Sequence, residues 1–170
     1  MGLIVRSSAI HAAGCYTTTP IRKGTRILEY DGPRFTKDEA DQRYEGRDIT
    51  YLFGVGDGHV VIDGFGMGMF INHCCDPNCG TEEIDERIFI SATRNIKAGE
   101  ELTYEYNLYD SDDYECPCHC DSSNCRGTMF SDEEVERKAR LAKKAGKAGT
   151  GSSKTSQKKS PGKKFATPAR

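Results

Sequence analysis

Apolar residues in the first 130 positions come in short runs separated by Gly, Asp and Asn, which is strand rather than helix patterning. Leu3-Ile4-Val5 and Arg26-Ile27-Leu28-Glu29-Tyr30 read as strands. Tyr51 to Val55 and His59 to Asp63 read as a hairpin around Gly56-Asp57-Gly58, and Arg87 to Ala92 and Glu101 to Tyr106 are further strand candidates. One short helix fits the first half, capped by Thr36, with Glu39 completing a capping box and Gly46 as the stop. Ile21-Arg22-Lys23-Gly24 and Ile96-Lys97-Ala98-Gly99 resemble each other and read as two equivalent turns. A second capping box, Ser131 with Glu134, opens a polar helix to about Lys144. Beyond Gly146 the chain is Lys, Ala, Gly, Ser, Thr and Pro with one aromatic, Phe165. Such a segment buries too little apolar surface to offset its ordering entropy, so 146–170 is expected to be a disordered basic tail.

The 170 residues fit one domain plus that tail. No run approaches the roughly 18 apolar residues of a membrane span. The opening Met1-Gly2-Leu3-Ile4-Val5-Arg6 is too short in apolar residues for a signal peptide, and Arg6 breaks the myristoylation pattern. A soluble intracellular protein is expected. The formal net charge of −2 hides a split: residues 137–170 carry twelve Lys or Arg and no acid, leaving 12 basic and 26 acidic residues, or −14, in the body. An acidic body favours a basic partner.

Eight cysteines stand at 15, 74, 75, 79, 116, 118, 120 and 125. In a reducing compartment such clustering points to metal rather than disulfides. Cys118, Cys120 and Cys125 form C-x-C-x4-C. Three thiolates so close can reach one Zn²⁺ at about 2.3 Å each, and tetrahedral zinc needs a fourth ligand. Cys74-Cys75 is the obvious source, with Cys116 and His119 as substitutes; Cys15 and Cys79 read as buried free thiols.

Phe70-Ile71-Asn72-His73-Cys74-Cys75-Asp76-Pro77-Asn78-Cys79 resembles the SET-domain signature F-I-N-H-S-C-x-P-N-C. Gly99-Glu100-Glu101-Leu102-Thr103-Tyr104-Glu105-Tyr106 resembles the second signature, G-E-E-L-T-Y-D-Y, and Cys118 to Gly127 the post-SET motif C-x-C-x4-C-R-G. Ser8 to Gly32 is similar to the family's opening, with Ala12 where the cofactor turn has its first glycine, and Cys74 replaces the serine of N-H-S-C. The resemblance implies a mostly β SET-domain fold of small curved sheets with short helices. Its Asn-His and Tyr104 segments thread into a pseudoknot, and a zinc-bound post-SET loop walls the substrate channel. The divisions are 1–115 (SET domain), 116–130 (post-SET zinc loop), 131–145 (polar helix) and 146–170 (tail). It further implies zinc on Cys75, Cys118, Cys120 and Cys125. S-adenosyl-L-methionine would lie against the turn at Ala12, Ala13, Gly14, Cys15 and Tyr16 and against Asn72 and His73. Tyr51, Tyr104 and Tyr106 would line the lysine channel.

The activity implied is protein-lysine N-methylation of basic, histone-like segments. At pH 7, deprotonating a free lysine costs about 4.6 kcal/mol. A narrow apolar channel lowers that cost by desolvating the ammonium. Tyrosines suit its wall, because flat apolar rings carry hydroxyls that orient the amine. Tyr106 reads as the main catalytic hydroxyl and Tyr104 as the residue setting how many methyls fit. In Tyr104-Glu105-Tyr106, strand alternation puts both rings on one face. His73 reads as a structural, cofactor-contacting histidine with no acidic orienter beside it, and Asn78 as a turn residue. The competing reading is a catalytically weak SET-fold interaction module associated with chromatin or DNA. The tail's composition resembles linker-histone tails, which implies non-specific DNA contact and a nuclear or nucleoid location. A monomer is expected.

Overall fold

The computed structural model describes residues 1–47, 49–109 and 115–148. Four small sheets carry the described residues. β1 (Leu3–Ser7) and β2 (Ala13–Thr17) form an antiparallel pair. β3 (Arg26–Tyr30) is followed by β4 (Arg34–Thr36), the helix α1 (Lys37–Arg43), β5 (Leu52–Val55) and β6 (Val60–Asp63). β7 (Asn72–His73), β8 (Cys79–Ile84), β9 (Arg87–Ala92), β10 (Thr103–Tyr104) and the helix α2 (Asp132–Ala148) complete the order. The sheets are β1-β2, β3-β9-β8, β4-β6-β5 and β7-β10.

The strands expected at Arg26–Tyr30 and Arg87–Ala92 pair with each other, Tyr30 opposite Ile88. Ile88 and Ile90 alternate onto the core face and are fully buried. Each contributes roughly 1.5–3 kcal/mol by leaving water. Phe89, on the other face, is covered by the guanidinium groups of Arg26 and Arg87 at 4.0 and 4.9 Å from its ring centre. The hairpin forms as expected, with Gly56 and Gly58 at positive φ and the Gly58 N–H bonded to the Val55 carbonyl at 2.9 Å. At α1, the Thr36 side chain caps the Glu39 amide while the Glu39 carboxylate returns to the Thr36 amide. The two similar phrases lie side by side: Ile21 and Ile96 exchange both backbone hydrogen bonds at 2.9 and 2.8 Å. Gly24 and Gly99 then turn the chain at φ 81 and 85, a region open to glycine at no steric cost.

Several elements differ from expectation. The strand foreseen over Glu101–Tyr106 shrinks to β10, because its backbone partners come from three places. Leu102 donates to the Cys15 carbonyl, Thr103 to Asn78 Oδ1, and Tyr106 to His73 Nδ1. The segment read as a cofactor turn is mostly β2. β8, Cys-Gly-Thr-Glu-Glu-Ile, has too few apolar residues to show as a strand and is held by β9. α2 runs past Gly146 to Ala148, since one glycine costs a helix only about 1 kcal/mol. Glu134 receives the cap from Ser131, and its carboxylate binds Arg137. The tail from 149 onward lies outside the described residues. Among the described residues, no helix is long and apolar enough to cross a membrane.

The knot that positions the site is β7 against β10. They run parallel, Asn72 opposite Thr103 and His73 opposite Tyr104, and the Cys74 amide continues to the Tyr104 carbonyl at 3.3 Å. Asn78 corrects its reading as a turn residue. It is buried, its amide donates to the Glu101 carbonyl at 2.7 Å, and its oxygen accepts from Thr103 at 2.9 Å. It therefore clamps the second signature against the first.

Candidate active site and metal centre

The knot opens into a cavity of about 320 Å³. β7 and β10 bring Asn72, His73 and Tyr104 to it, the residues after β10 bring Tyr106, and the approach to β5 brings Tyr51. The rings of Tyr104 and Tyr106 lie 4.8 Å apart, so the alternation does put both on one face. Tyr106 donates its hydroxyl proton to the Ile71 carbonyl at 2.9 Å, and Tyr30 donates to the Tyr51 carbonyl at 2.7 Å, fixing the Tyr51 backbone. Burial pushes the hydroxyls of Tyr104 and Tyr106 well above the usual tyrosine range. Both therefore stay protonated near neutrality and act as hydrogen-bonding groups, not as bases.

Of the residues assigned to cofactor by resemblance, Ala13, Asn72 and His73 line the cavity, together with His11 and Ala12. Gly14, Cys15 and Tyr16 stand behind it in β2. Cys15 is fully buried in the core, and burial holds its thiol up at about 11. Gly14 makes room for Glu101: a Cβ there would fall 2.1 Å from Glu101 Oε1. Glu101 is the site-forming residue that sequence reasoning missed. It accepts from the Ser8 hydroxyl, the Tyr16 hydroxyl at 2.8 Å and the Asn72 amide at 2.7 Å. It thus ties the N-terminal hairpin to the first signature. Its only signal in the sequence was its place in the second signature.

Ala12 sits at φ 34, in the left-handed region that costs a side chain about 1–2 kcal/mol. Glycine would relieve this while adding about 0.4–1 kcal/mol of unfolded-chain entropy. Ala12→Gly is expected to stabilise the fold by a net of roughly 0.5–1 kcal/mol. Denaturant midpoints of the two proteins check this, and a destabilised variant would count against strain at this turn.

The sulfurs of Cys75, Cys118, Cys120 and Cys125 all lie within 4.8 Å of one another, with 3.7 Å between Cys75 and Cys118. Four sulfurs at about 2.3 Å from a tetrahedral Zn²⁺ stand about 3.8 Å apart, so the donor set fits zinc in number, type and spacing. Amide N–H groups of Cys75, Arg126 and Gly127 point at Cys120, Cys75 and Cys125 sulfurs at 3.5, 3.4 and 3.4 Å, offsetting thiolate charge. The possible substitutes stand elsewhere: Cys116 is buried in the core and His119 lines the cavity. Cys79 is buried too, and burial pushes its thiol up to about 12. The loop is laced to the body through Leu108 with Phe130 and Pro117 with Thr128. Pro117, Cys118 and His119 thereby reach the cavity.

An acid does stand beside His73, contrary to expectation: Glu105 Oε1 is 3.2 Å from Nδ1. The Tyr106 amide, which always carries its proton, also reaches Nδ1 at 3.2 Å. Nδ1 thus lies within reach of both the Tyr106 amide and the Glu105 carboxylate, and Nε2 faces the Cys75 sulfur at 3.4 Å. Arg126 of the cysteine loop neutralises Glu105 at 2.8 Å. His73 thus links the metal centre to the backbone of Tyr106.

The SET domain family matches residues 12–107 of the chain. A histone-lysine N-methyltransferase, H3 lysine-4 specific, of Eremothecium gossypii is 42% identical over 136 residues, which is 72% of this chain and 14% of that protein. The Saccharomyces cerevisiae protein of the same description is also 42% identical over 136 residues, 72% of this chain and 12% of its own length. Histone-lysine N-methyltransferase trithorax of Drosophila melanogaster is 39% identical over 130 residues, 70% of this chain and 3% of its own length. The chain thus spans a small fraction of each of these relatives. With the paired signature segments, the tyrosine-lined cavity and the four-sulfur centre in place, the match to residues 12–107 makes the chain a member of the SET-domain family.

Proposed function

We propose that the chain is an S-adenosyl-L-methionine-dependent protein-lysine N-methyltransferase acting on histone-like lysine segments. The observation that carries this is the hydroxyl of Tyr106. Its proton is committed to the Ile71 carbonyl, so its lone pairs remain for an incoming amine. Tyr51, Tyr104 and Tyr106 make the channel wall. Their rings desolvate the ammonium and favour its neutral form, and the hydroxyl of Tyr106 accepts an amine N–H and aims the nitrogen lone pair. When bound, S-adenosyl-L-methionine supplies a methyl on a positively charged sulfur, a good leaving group. Ala13, Asn72 and His73 would touch it, while Gly14 and Tyr16 hold that wall in place through Glu101 and Cys15 through its burial in the core. Zinc on Cys75, Cys118, Cys120 and Cys125 would keep the loop carrying Pro117 and His119 over the cavity.

The names of the relatives point to histone H3 as the substrate class, and the −14 of residues 1–136 suits a basic peptide. The twelve basic residues of 137–170 would hold the enzyme, as a monomer, near DNA in the chromatin or nucleoid. Incubation of the full chain with labelled cofactor and recombinant histones tests the activity. Methyl mass on H3 lysines is the expected result, and none on any histone would leave the interaction-module reading.

Tyr104 lines the cavity beside Tyr106, where its hydroxyl would take volume a further methyl needs. The native protein is therefore expected to stop at mono- or dimethyl-lysine, and Tyr104→Phe to shift product toward trimethyl-lysine. Peptide mass spectrometry at matched turnover reads the distribution. A native enzyme that itself runs to trimethyl-lysine would refute this role.

A further inference from the structure

Cys74 stands beside the four-sulfur centre without belonging to the mutually close set. Its sulfur accepts the Asp76 N–H at 3.4 Å, and the preceding amide, of Cys75, reaches the Cys120 sulfur at 3.5 Å. Two consecutive amides of one bend, those of Cys75 and Asp76, thus each hold one of the two sulfurs. Cys120 is half-buried, whereas Cys74 is 8% exposed. The remaining non-ligand thiols, Cys15, Cys79 and Cys116, lie in the core. One uncommitted thiol, Cys74, therefore shares a bend with the amide that holds the ligand Cys120.

We propose that Cys74 is the resolving thiol of an oxidation-sensitive metal centre, closing a disulfide with Cys120 that removes a ligand and releases the metal. The oxidant is a hydroperoxide. The Cys120 thiolate attacks its terminal oxygen, the O–O bond breaks, and the alkoxide leaves as alcohol or water, giving a sulfenic acid at Cys120. The Cys74 sulfur then attacks the Cys120 sulfur, the S–O bond breaks, and water departs with the Cys74 proton. Two thiols lose two electrons and one peroxide gains them. Loss of Cys120 as a ligand unpins the loop that carries Pro117 and His119 to the cavity, so methyl transfer falls with the metal. A dithiol reductant with added zinc reverses the change.

The inference rests on the zinc reading of the centre, and the test keeps the two apart. The full-length, zinc-loaded chain is titrated with hydrogen peroxide. Released metal is read with a chromogenic chelator, and disulfides are mapped by mass spectrometry of a non-reduced digest. A Cys74–Cys120 peptide pair is expected to grow in step with zinc release and to disappear, with zinc rebinding, on adding dithiothreitol and zinc. Cys74→Ser keeps an acceptor for the Asp76 N–H, and its zinc release is expected to be slower by about ten-fold or more, since the sulfenic acid lacks its resolving thiol. Release from Cys74→Ser at the native rate, or a map dominated by pairs among residues 75, 118, 120 and 125, overturns the proposal. A purified protein that holds no zinc would instead sink the metal assignment, while the disulfide map would still decide whether Cys74 captures Cys120.

Discussion

Tyr106→Phe is expected to lower turnover by about 10²-fold or more while the fold and cofactor affinity survive. Removing one positioned polar group from a reaction centre commonly costs that much. The loss has a specific origin here. The hydroxyl is anchored by the Ile71 carbonyl and so presents its lone pairs in one direction; phenylalanine keeps the ring packing against Tyr104 and His73 and removes only the hydroxyl. Leaving the Ile71 carbonyl without this donor costs about 1–3 kcal/mol, which thermal unfolding will register as a modest drop. Single-turnover kinetics with saturating cofactor, alongside calorimetric cofactor binding, separates the two effects. Near-normal turnover would reduce Tyr106 to a wall residue.

Cys120→Ser is expected to strip the protein of zinc and, with it, of methyl transfer. Changing a group that merely supports a metal ligand costs about 10–100-fold in affinity, and loss of a thiolate from a four-sulfur site goes beyond that. Structural zinc stabilises folds by an apparent 10–16 kcal/mol or so, so the loop from Pro117 to Thr128 is expected to loosen. Because that loop supplies part of the cavity wall, activity falls although no channel tyrosine has changed. Elemental analysis of purified protein gives the metal content; full occupancy in Cys120→Ser would show that the ligands are wrongly assigned.

Much of the fold was readable along the chain because its signals are local. Arg26–Tyr30 and Arg87–Ala92 announce themselves by apolar residues at strand period, α1 by the reciprocal pair Thr36 and Glu39, and the hairpin by its glycines. The three signature segments carried the family, and the cysteine spacing carried the metal centre except for the choice of fourth ligand. What the tertiary structure alone decided was which side chains meet. Ser8 and Glu101 bond across 93 positions, and Asn78 clamps residues 23 and 25 positions away. The same holds for Glu105 beside His73, for Gly14 yielding space to Glu101, and for Cys74 and Cys120 held by consecutive amides, with Cys74 outside the ligand set. Hydrophobic period reports which face of an element is buried, because burial acts on every residue of that face alike. A hydrogen bond between distant polar groups depends on direction and on a few tenths of an ångström, and it leaves no period in the sequence.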